Sequence, residues 1–408
     1  MKQERKYAKI TVTRKAERAI EFGHPWIYDA ELRNIEGAYV NGGLVDVVSD
    51  KGKYLGTGFI SEKSKIRIRL ISRNANDKFD KAFFERRLRH AWEYRKTVMG
   101  EDISCCRIIF GEADQFPGLT VDRFNDVLVT QTLSLGMEQL KPMLFPLLYK
   151  VLSEDGQSIR GIYERNDVAI RELEGMQQGK GWFALDGVPE FSTTQTEIVE
   201  NRISYAVDFE NGQKTGFFLD QKYNRQAVAR LAKGKRVLDC FTHTGSFALN
   251  AAMGGAVHVC AVDVSESAVE MARENARRNG LEDRMSFLAE NVFDLLPKLE
   301  TSAEKYDFII LDPPAFTKSR KTVESAMRGY KEINLRAMKL LPRGGYLATC
   351  SCSHFMNDEL FVKMLKAAAK DACVELRQIE MRQQSPDHPI LWNVPETDYL
   401  KFYLFQIV

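Results

Sequence analysis

The sequence predicts an α/β protein whose C-terminal half is a doubly wound, mostly parallel sheet, with a small β-barrel and a small α+β domain ahead of it. Three observations carry this. From about residue 235 onward, strand-like and helix-like segments alternate, the rhythm of a sheet with helices on both faces. The first 75 residues hold short strand-like runs broken by glycine turns, which fits a small barrel. Residues 76–190 mix both patterns, and no internal repeat is visible. The expected domains are therefore 1–75, 76–190 and 191–408.

In the first of these, KITV, GLVDVVSD, YLGTGFI and KIRIRLIS read as strands, and AIEFGHPWIYDAEL precedes the last three. Side chains alternate along a strand, so Lys65, Arg67 and Arg69 are expected on one face. From 79 to 97, Phe84, Leu88, Ala91 and Trp92 recur at helical spacing. RIIFGEADQFPGLTVDRFNDVLVTQTL reads as two or three strands around a Gly/Pro turn. MEQLKPMLFPLLYKVLSED reads as a helix in which Pro146 is a local breaker. EIVENRISYAVDF alternates as strands do. The C-terminal half then runs through KRVLDCF (strand), GSFALNAAMGG (helix), VHVCAVDVS (strand) and ESAVEMARENARRNG, a helix that Gly280 stops. RMSFLAEN, YDFIILDPP, GGYLATCSC and FYLFQIV are further strands.

Composition narrows the class. The chain has 408 residues, 44% hydrophobic and 28% charged, as in soluble globular proteins of two or three domains. No apolar run approaches a membrane span. MKQERKYAKI carries charge with no apolar core after it, unlike a signal peptide. The seven cysteines are odd in number and contain no C-x-x-C, which argues against a disulfide framework and a zinc ribbon. Reduced thiols in a cytoplasmic protein without a metal are expected. The net charge of +2 hides an asymmetry, because residues 1–100 carry 22 Lys and Arg against 13 Asp and Glu. A basic front suits a polyanion such as RNA, and equally a solvated surface.

Ligands of doubly wound sheets bind at the carboxyl ends of the strands. VLDCFTHTGSF (237–247) is a strand, a loop and a helix start without G-x-G-x-x-G, so the diphosphate fingerprint is missing. Thr244 lies in that loop, and Gly245 permits close backbone approach. Asp263 ends the next strand, where a carboxylate accepts from ribose hydroxyls. A cofactor with a ribose and no diphosphate fits, and S-adenosyl-L-methionine is one. Asp239 suits its sulfonium and amino group, or else caps the helix. In LDPPAF (311–316), Asp312 follows a strand, two prolines fix the turn, and Phe316 is placed to stack on a base.

Taken together, TGFFLDQKYNR (215–225), VLDCFTHTG, VDVS, DPPAF, RGYKEIN (328–334), SCS and DHP (387–389) resemble the bacterial 23S rRNA large subunit (cytosine-C5) methyltransferase family. The resemblance spans the chain. It implies a Rossmann-like class I methyltransferase domain with a seven-stranded, mostly parallel sheet, a PUA-like RNA-binding barrel that includes GHPWIY, and a central α+β domain. It further implies S-adenosylmethionine held by Phe218, Asp220, Gln221, Arg225, Thr244, Gly245, Asp263 and Asn291, with Glu290 an alternative to Asn291 at the adenine. Lys65, Arg67, Arg69, Phe316, Tyr330 and Lys331 are the expected RNA contacts. The expected partner is 23S rRNA or a large-subunit precursor, with a homodimer as one arrangement and no membrane.

Carbon 5 of cytosine is a poor nucleophile, and addition of a thiolate to carbon 6 converts it to an enamine. Two cysteines compete for that role. Local text, Thr-Cys-Ser, points to Cys350. The resemblance aligns SCS and so Cys352, which also lies about 6–7 Å further toward the ligand end at usual strand rise. Cys352 is the expected nucleophile, Asp312 the acid at N3, and Cys350 a buried structural thiol. His354 reads as a surface histidine. Two other readings stay open: RNA nitrogen methylation without the cysteine, and a non-catalytic RNA-binding assembly factor.

Overall fold

In a computed structural model, residues 5–189, 191–302, 304–317 and 319–408 are described. They form two compact units. The first comprises Met1–Ile198, Val207–Leu219 and Pro386–Thr397; the second comprises Val199–Ala206, Asp220–Ser385 and Asp398–Val408.

The first unit contains two sheets. One is built from β1 (Lys9–Val12), β2 (Trp26–Tyr28), β3 (Leu32–Glu36), β4 (Leu44–Val48), β5 (Tyr54–Ile60) and β6 (Ile66–Ser72). Its order is β2-β6-β5-β4-β1-β3. Ile10, Val12, Val45, Val47, Ile60 and Ile68 form its core, with Ala16 and Ile20 of the helix α1 (Arg14–Glu21) closing one side. Thr13 starts α1, its hydroxyl accepting from the Ala16 N–H at 3.3 Å. After α2 (Lys81–Met99), the second sheet uses β7 (Cys105–Phe110), β8 (Leu119–Phe124), β9 (Val127–Thr132), β10 (Gly161–Arg165) and β11 (Lys180–Phe183) in reverse order.

Its helix α3 (Leu135–Glu154) passes through both Pro142 and Pro146, so Pro146 is no breaker. Leu144, Phe145, Leu147 and Leu148 are buried around it, and this packing outweighs the missing N–H. A short helix, α4 (Ile170–Leu173), precedes β11. The segment 386–397 arrives late in sequence and is bound firmly into this unit. The Asp387 carboxylate accepts the Arg107 N–H at 2.8 Å, and its carbonyl accepts from the buried Arg95 guanidinium at 3.0 Å.

The hairpin β12 (Gln195–Glu200) and β13 (Ile203–Asp208) leads into the second unit. That unit's sheet comprises β14 (Arg236–Cys240), β15 (His258–Asp263), β16 (Met285–Ala289), β17 (Phe308–Leu311), β18 (Tyr346–Ser351), β19 (Leu376–Arg382) and β20 (Lys401–Ile407). The order is β16-β15-β14-β17-β18-β20-β19, with the first five parallel and β20 alone reversed, antiparallel to both β18 and β19. Strand order reverses between β14 and β17, the switch point where such sheets bind ligands. One face is covered by α8 (Val292–Thr301), α9 (Val323–Leu340) and α10 (Asp358–Ala372), whose Leu296, Ile333, Ala337 and Phe361 meet Ile309, Leu311 and Leu347. The remaining helices are α5 (Lys222–Leu231), α6 (Ser246–Met253) and α7 (Glu266–Arg278). No sequence pattern marks β19, a polar edge strand with a register shift between Gln378 and Glu380. No helix among the described residues is long and apolar enough to cross a membrane.

Candidate active site

Strand register decides which side chains share a level at the switch point. Cys240 pairs with Leu311, and Leu311 with Thr349. Asp312 is therefore level with Cys350, and Cys352 lies one pleat further out, just past the end of β18. The Asp312 carboxylate accepts from Gln221 Nε2 at 3.0 Å, and Gln221 caps the start of α5. Burial, reinforced by the charge of Asp220, pushes Asp312 up to about 6. Asp220 itself accepts from the Tyr399 hydroxyl at 2.5 Å. Arg225 is buried in a 2.5 Å ion pair with Glu200, a partner that the sequence did not announce.

The loop after β14 is strained. Phe241, His243 and Gly245 have φ of 64°, 49° and 81°, and the first two are not glycine. Two aspartates hold it. Asp263 accepts from the His243 N–H at 2.9 Å and the Ser265 N–H at 3.0 Å. Asp239 Oδ2 accepts from the Thr242 hydroxyl at 2.6 Å and the Ala248 N–H at 2.9 Å. Gly245 is required twice over, by its φ and because a Cβ there would stand 2.9 Å from the Ala272 Cβ.

Two buried polar atoms in this loop region, Asp239 Oδ1 and Thr244 Oγ1, have no hydrogen-bond partner among the described residues. Native structures rarely leave such atoms unsatisfied. Burial, with Asp312 nearby, raises the Asp239 carboxyl to about 7. An incoming cation with N–H and O–H donors answers both features, so the residues present fit an aminoacyl sulfonium nucleoside. Asp239 thus caps the helix with one oxygen and keeps the other oriented for a ligand.

The two thiols differ sharply. Cys350 is fully buried, and burial next to Asp312 raises it well above an ordinary thiol. Cys352 is half-buried, with its sulfur 3.9 Å from the Pro313 carbonyl of the Asp-Pro-Pro turn. The ammonium of Lys401 interacts electrostatically with it. This lysine is buried, donates to the Ser353 and Tyr399 carbonyls at 3.0 Å each, and is lowered by burial. It pairs across the ladder with Ser351. In the sequence, Lys401 is only one lysine ahead of an apolar run, and its position depends on an antiparallel pairing that no local pattern reveals.

Residues 182–406 match the model of the S-adenosylmethionine-dependent methyltransferase family, and residues 10–73 match a PUA-like domain. The ribosomal RNA large subunit methyltransferase I of Klebsiella pneumoniae (strain 342) is 37% identical over 404 residues, covering 98% of this chain and 99% of that protein. The chain belongs to this methyltransferase family. The Escherichia coli (strain SMS-3-5 / SECEC) member is also 37% identical, over 402 residues, with 98% and 99% covered. A Streptococcus mutans chain described as a SAM-dependent methyltransferase shares the fold with a TM-score of 0.81 at 23% identity, 98% of this chain and 99% of that one being covered. SMU.776, complexed with SAH, has a TM-score of 0.83 at the same identity and coverage.

S-adenosylmethionine is accordingly the cofactor of this methyltransferase. Other expected site residues lie as follows. Asn291 caps α8, its side-chain carbonyl accepting from the Phe293 N–H at 3.0 Å, so that oxygen already has one donor. Glu290 is paired with Lys298. Phe218 belongs to the first unit's segment, with the Lys214 ammonium 4.6 Å from its ring centroid. Phe316 is half-buried and packs on Tyr330 at 4.5 Å between centroids.

Two expected RNA contacts, Tyr330 and Arg69, need correction because they are buried, and two others, Arg67 and Lys331, are half-buried in ion pairs. Tyr330 is wholly buried, its hydroxyl bonded to Ser353 at 2.9 Å and Ser351 at 3.1 Å, so it braces the cysteine strand and does not face solvent. Arg69 is buried in a 2.9 Å ion pair with Glu174. Arg67 is engaged by Asp29 at 2.5 Å and by the Ser61 carbonyl at 3.1 Å. Lys331 pairs with Asp371 at 2.6 Å. Of the basic trio, Lys65 alone stands exposed, and it lies just before β6 and outside it. The even alternation expected of this strand fails because both of its neighbours pair with a register shift, between Ile27 and Tyr28 and between Thr57 and Gly58.

Proposed function

We propose that this methyltransferase modifies carbon 5 of a cytosine in 23S rRNA, with Cys352 as nucleophile. The observation that carries the reading is the split of the two thiols: Cys350 is sealed against Asp312, while Cys352 is half-exposed at the strand end, with a buried lysine bonded to the carbonyl of the following residue. Asp239, Thr244, Gly245 and Asp263 form the cofactor side, joined by Asp220, Gln221 and Arg225. When bound, S-adenosylmethionine supplies an electrophilic methyl group.

The chain's own residues do the rest. The Cys352 thiolate adds to carbon 6 of the flipped base, and its bond to carbon 6 turns the ring into an enamine nucleophilic at carbon 5. Asp312, raised by burial, holds a proton at N3 as charge develops there. After methylation a base removes the carbon 5 proton, and the thiolate leaves as the ring double bond re-forms. The Lys401 ammonium favours the thiolate form of Cys352. The expected three-domain division belongs to the same reading, with residues 1–75 and 76–190 presenting the RNA.

RNA in which the target carries fluorine at carbon 5 tests the proposal, because fluorine cannot leave as a proton. The expected result is a stable protein–RNA adduct that peptide mapping locates at Cys352. An adduct at Cys350, or none in the presence of cofactor turnover, overturns it.

A further inference from the structure

The motif RGYKEIN (328–334) supplies none of the reacting groups, yet its tyrosine is wholly buried and touches both loops that do. One is the turn 312–316, with the acid Asp312 at its start. The other is 351–353, with Cys352 at its centre. The two meet where the Cys352 sulfur lies 3.9 Å from the Pro313 carbonyl. β18 ends at Ser351, which pairs with Lys401 as the last rung of that ladder. Cys352 stands past the strand's own pairing, so its place depends on what fixes its neighbours.

The Tyr330 hydroxyl fixes them. It accepts from the Ser351 hydroxyl at 3.1 Å and is bonded to the Ser353 hydroxyl at 2.9 Å. Both serines are buried, and the Ser353 N–H reaches Ser351 Oγ at 3.4 Å. The residues on either side of the nucleophile are thus tied to one oxygen. A buried hydroxyl without an acceptor is costly, so Tyr330 donates onward to Ser353. Burial raises Tyr330 above an ordinary phenol, which keeps that proton in place. From β20, the Lys401 ammonium holds the Ser353 carbonyl at 3.0 Å. The ring of Tyr330 serves the other loop. It packs on Phe316 at 4.5 Å between centroids. Gly329 makes the room, since a Cβ there would stand 3.3 Å from Phe316 Cδ2.

We propose that Tyr330 is a positioning residue that sets the span between Asp312 and Cys352, its hydroxyl holding the nucleophile's loop and its ring the acid's. The chemistry of the target shows why a span matters. N3 and carbon 6 lie across the pyrimidine ring from each other, so acid and thiolate must stand a ring's width apart. Misplacement of a reacting group by about 1 Å costs about a hundredfold in rate. The inference rests on the C5 reading with Cys352 as nucleophile.

The test compares Tyr330→Phe, which removes only the hydroxyl, with Gly329→Ala, which adds only a methyl group against Phe316. In labelled methyl transfer to 23S rRNA, Tyr330→Phe should lose roughly a hundredfold in kcat. KM for RNA and S-adenosylmethionine affinity by calorimetry should stay unchanged. Gly329→Ala should lose about tenfold in kcat while its denaturation midpoint holds or rises, since alanine favours a helix. A merely structural role predicts the reverse. Iodoacetamide should alkylate Cys352 with the wild-type pH midpoint in both variants, as the thiol itself is unaltered. Wild-type kcat in either variant overturns the proposal, and Gly329→Ala alone decides if Tyr330→Phe does not fold. A Tyr330→Phe loss confined to KM or to cofactor affinity overturns it too. So does a shifted alkylation midpoint, because the hydroxyl then acts on the thiol's charge and not on its place. Fluorinated RNA separates these results from failure of the C5 reading. Wild-type protein that forms no adduct ends that reading, whereas a wild-type adduct with undiminished variants ends this one alone.

Discussion

Two regions of the molecule look equally functional in sequence and prove opposite in structure. One is the strand of Lys65, Arg67 and Arg69; the other is the ligand end of the second unit's sheet. On the strand, Arg67 and Arg69 meet carboxylates inside the first unit. At the sheet end, Asp239 Oδ1 and Thr244 Oγ1 have no hydrogen-bond partner among the described residues, and Cys352 stands half-open. The lesson is that charge in a pattern identifies an element, while polar groups left uncommitted after folding identify a site.

The largest test of this contrast is at Cys352. Cys352→Ala should lower turnover by more than about a thousandfold, the scale of losing a covalent nucleophile, with cofactor affinity retained. Cys350→Ala should leave turnover within a small factor. Equal losses in single-turnover assays would erase the distinction between the thiols.

Asp312→Asn comes next, with a turnover loss of about a hundredfold or more if the protonated acid is required. Because the carboxyl is raised to about 6, its acid form declines as pH rises through that value. The wild-type pH–rate profile should therefore bend downward on its alkaline side, and the variant should lose that bend.

On the strand, Arg69→Met should leave RNA affinity of the folded protein unchanged. It leaves Glu174 buried with no cation, at a cost of about 3 kcal/mol read as a lower denaturation midpoint. A loss of RNA affinity at unchanged stability would return this strand to the RNA surface.

The smallest effect is a fraction of a proton. Asp239 is raised to about 7 against an ordinary 3.8, so its proton stabilises the cofactor-free fold. That contribution is full below the ordinary value and is lost as pH rises through about 7. A cationic cofactor favours the carboxylate, so calorimetry near pH 6 should show proton release on binding. Asp239→Asn should abolish the release. Uptake in place of release would mean that the cofactor leaves this carboxyl protonated.

Much of this architecture was legible. Helix stops such as Gly280, the strand-loop-helix at 237–247 and the carboxylates at strand ends are local features, and local chemistry specifies them. The depth difference between Cys350 and Cys352 also followed from strand geometry alone. What could not be read depended on partners distant in sequence: Glu174 for Arg69, Glu200 for Arg225, Ser353 for Lys401, and the two serines bonded to the Tyr330 hydroxyl. Pro146 was misread for the same reason, because a proline's effect on a helix is set by what packs around it.

The late segment Pro386–Thr397 belongs to the first unit, with Asp387 accepting the Arg107 N–H. During synthesis at about 5–20 residues per second, the early strands therefore wait roughly ten to forty seconds after residue 198 for their last piece. A nascent chain stopped anywhere before that point leaves the Arg107 amide without its Asp387 acceptor and the Arg95 guanidinium short of one carbonyl, though still paired with Asp114. Because the first unit takes in Pro386–Thr397, no single cut in the chain releases it whole.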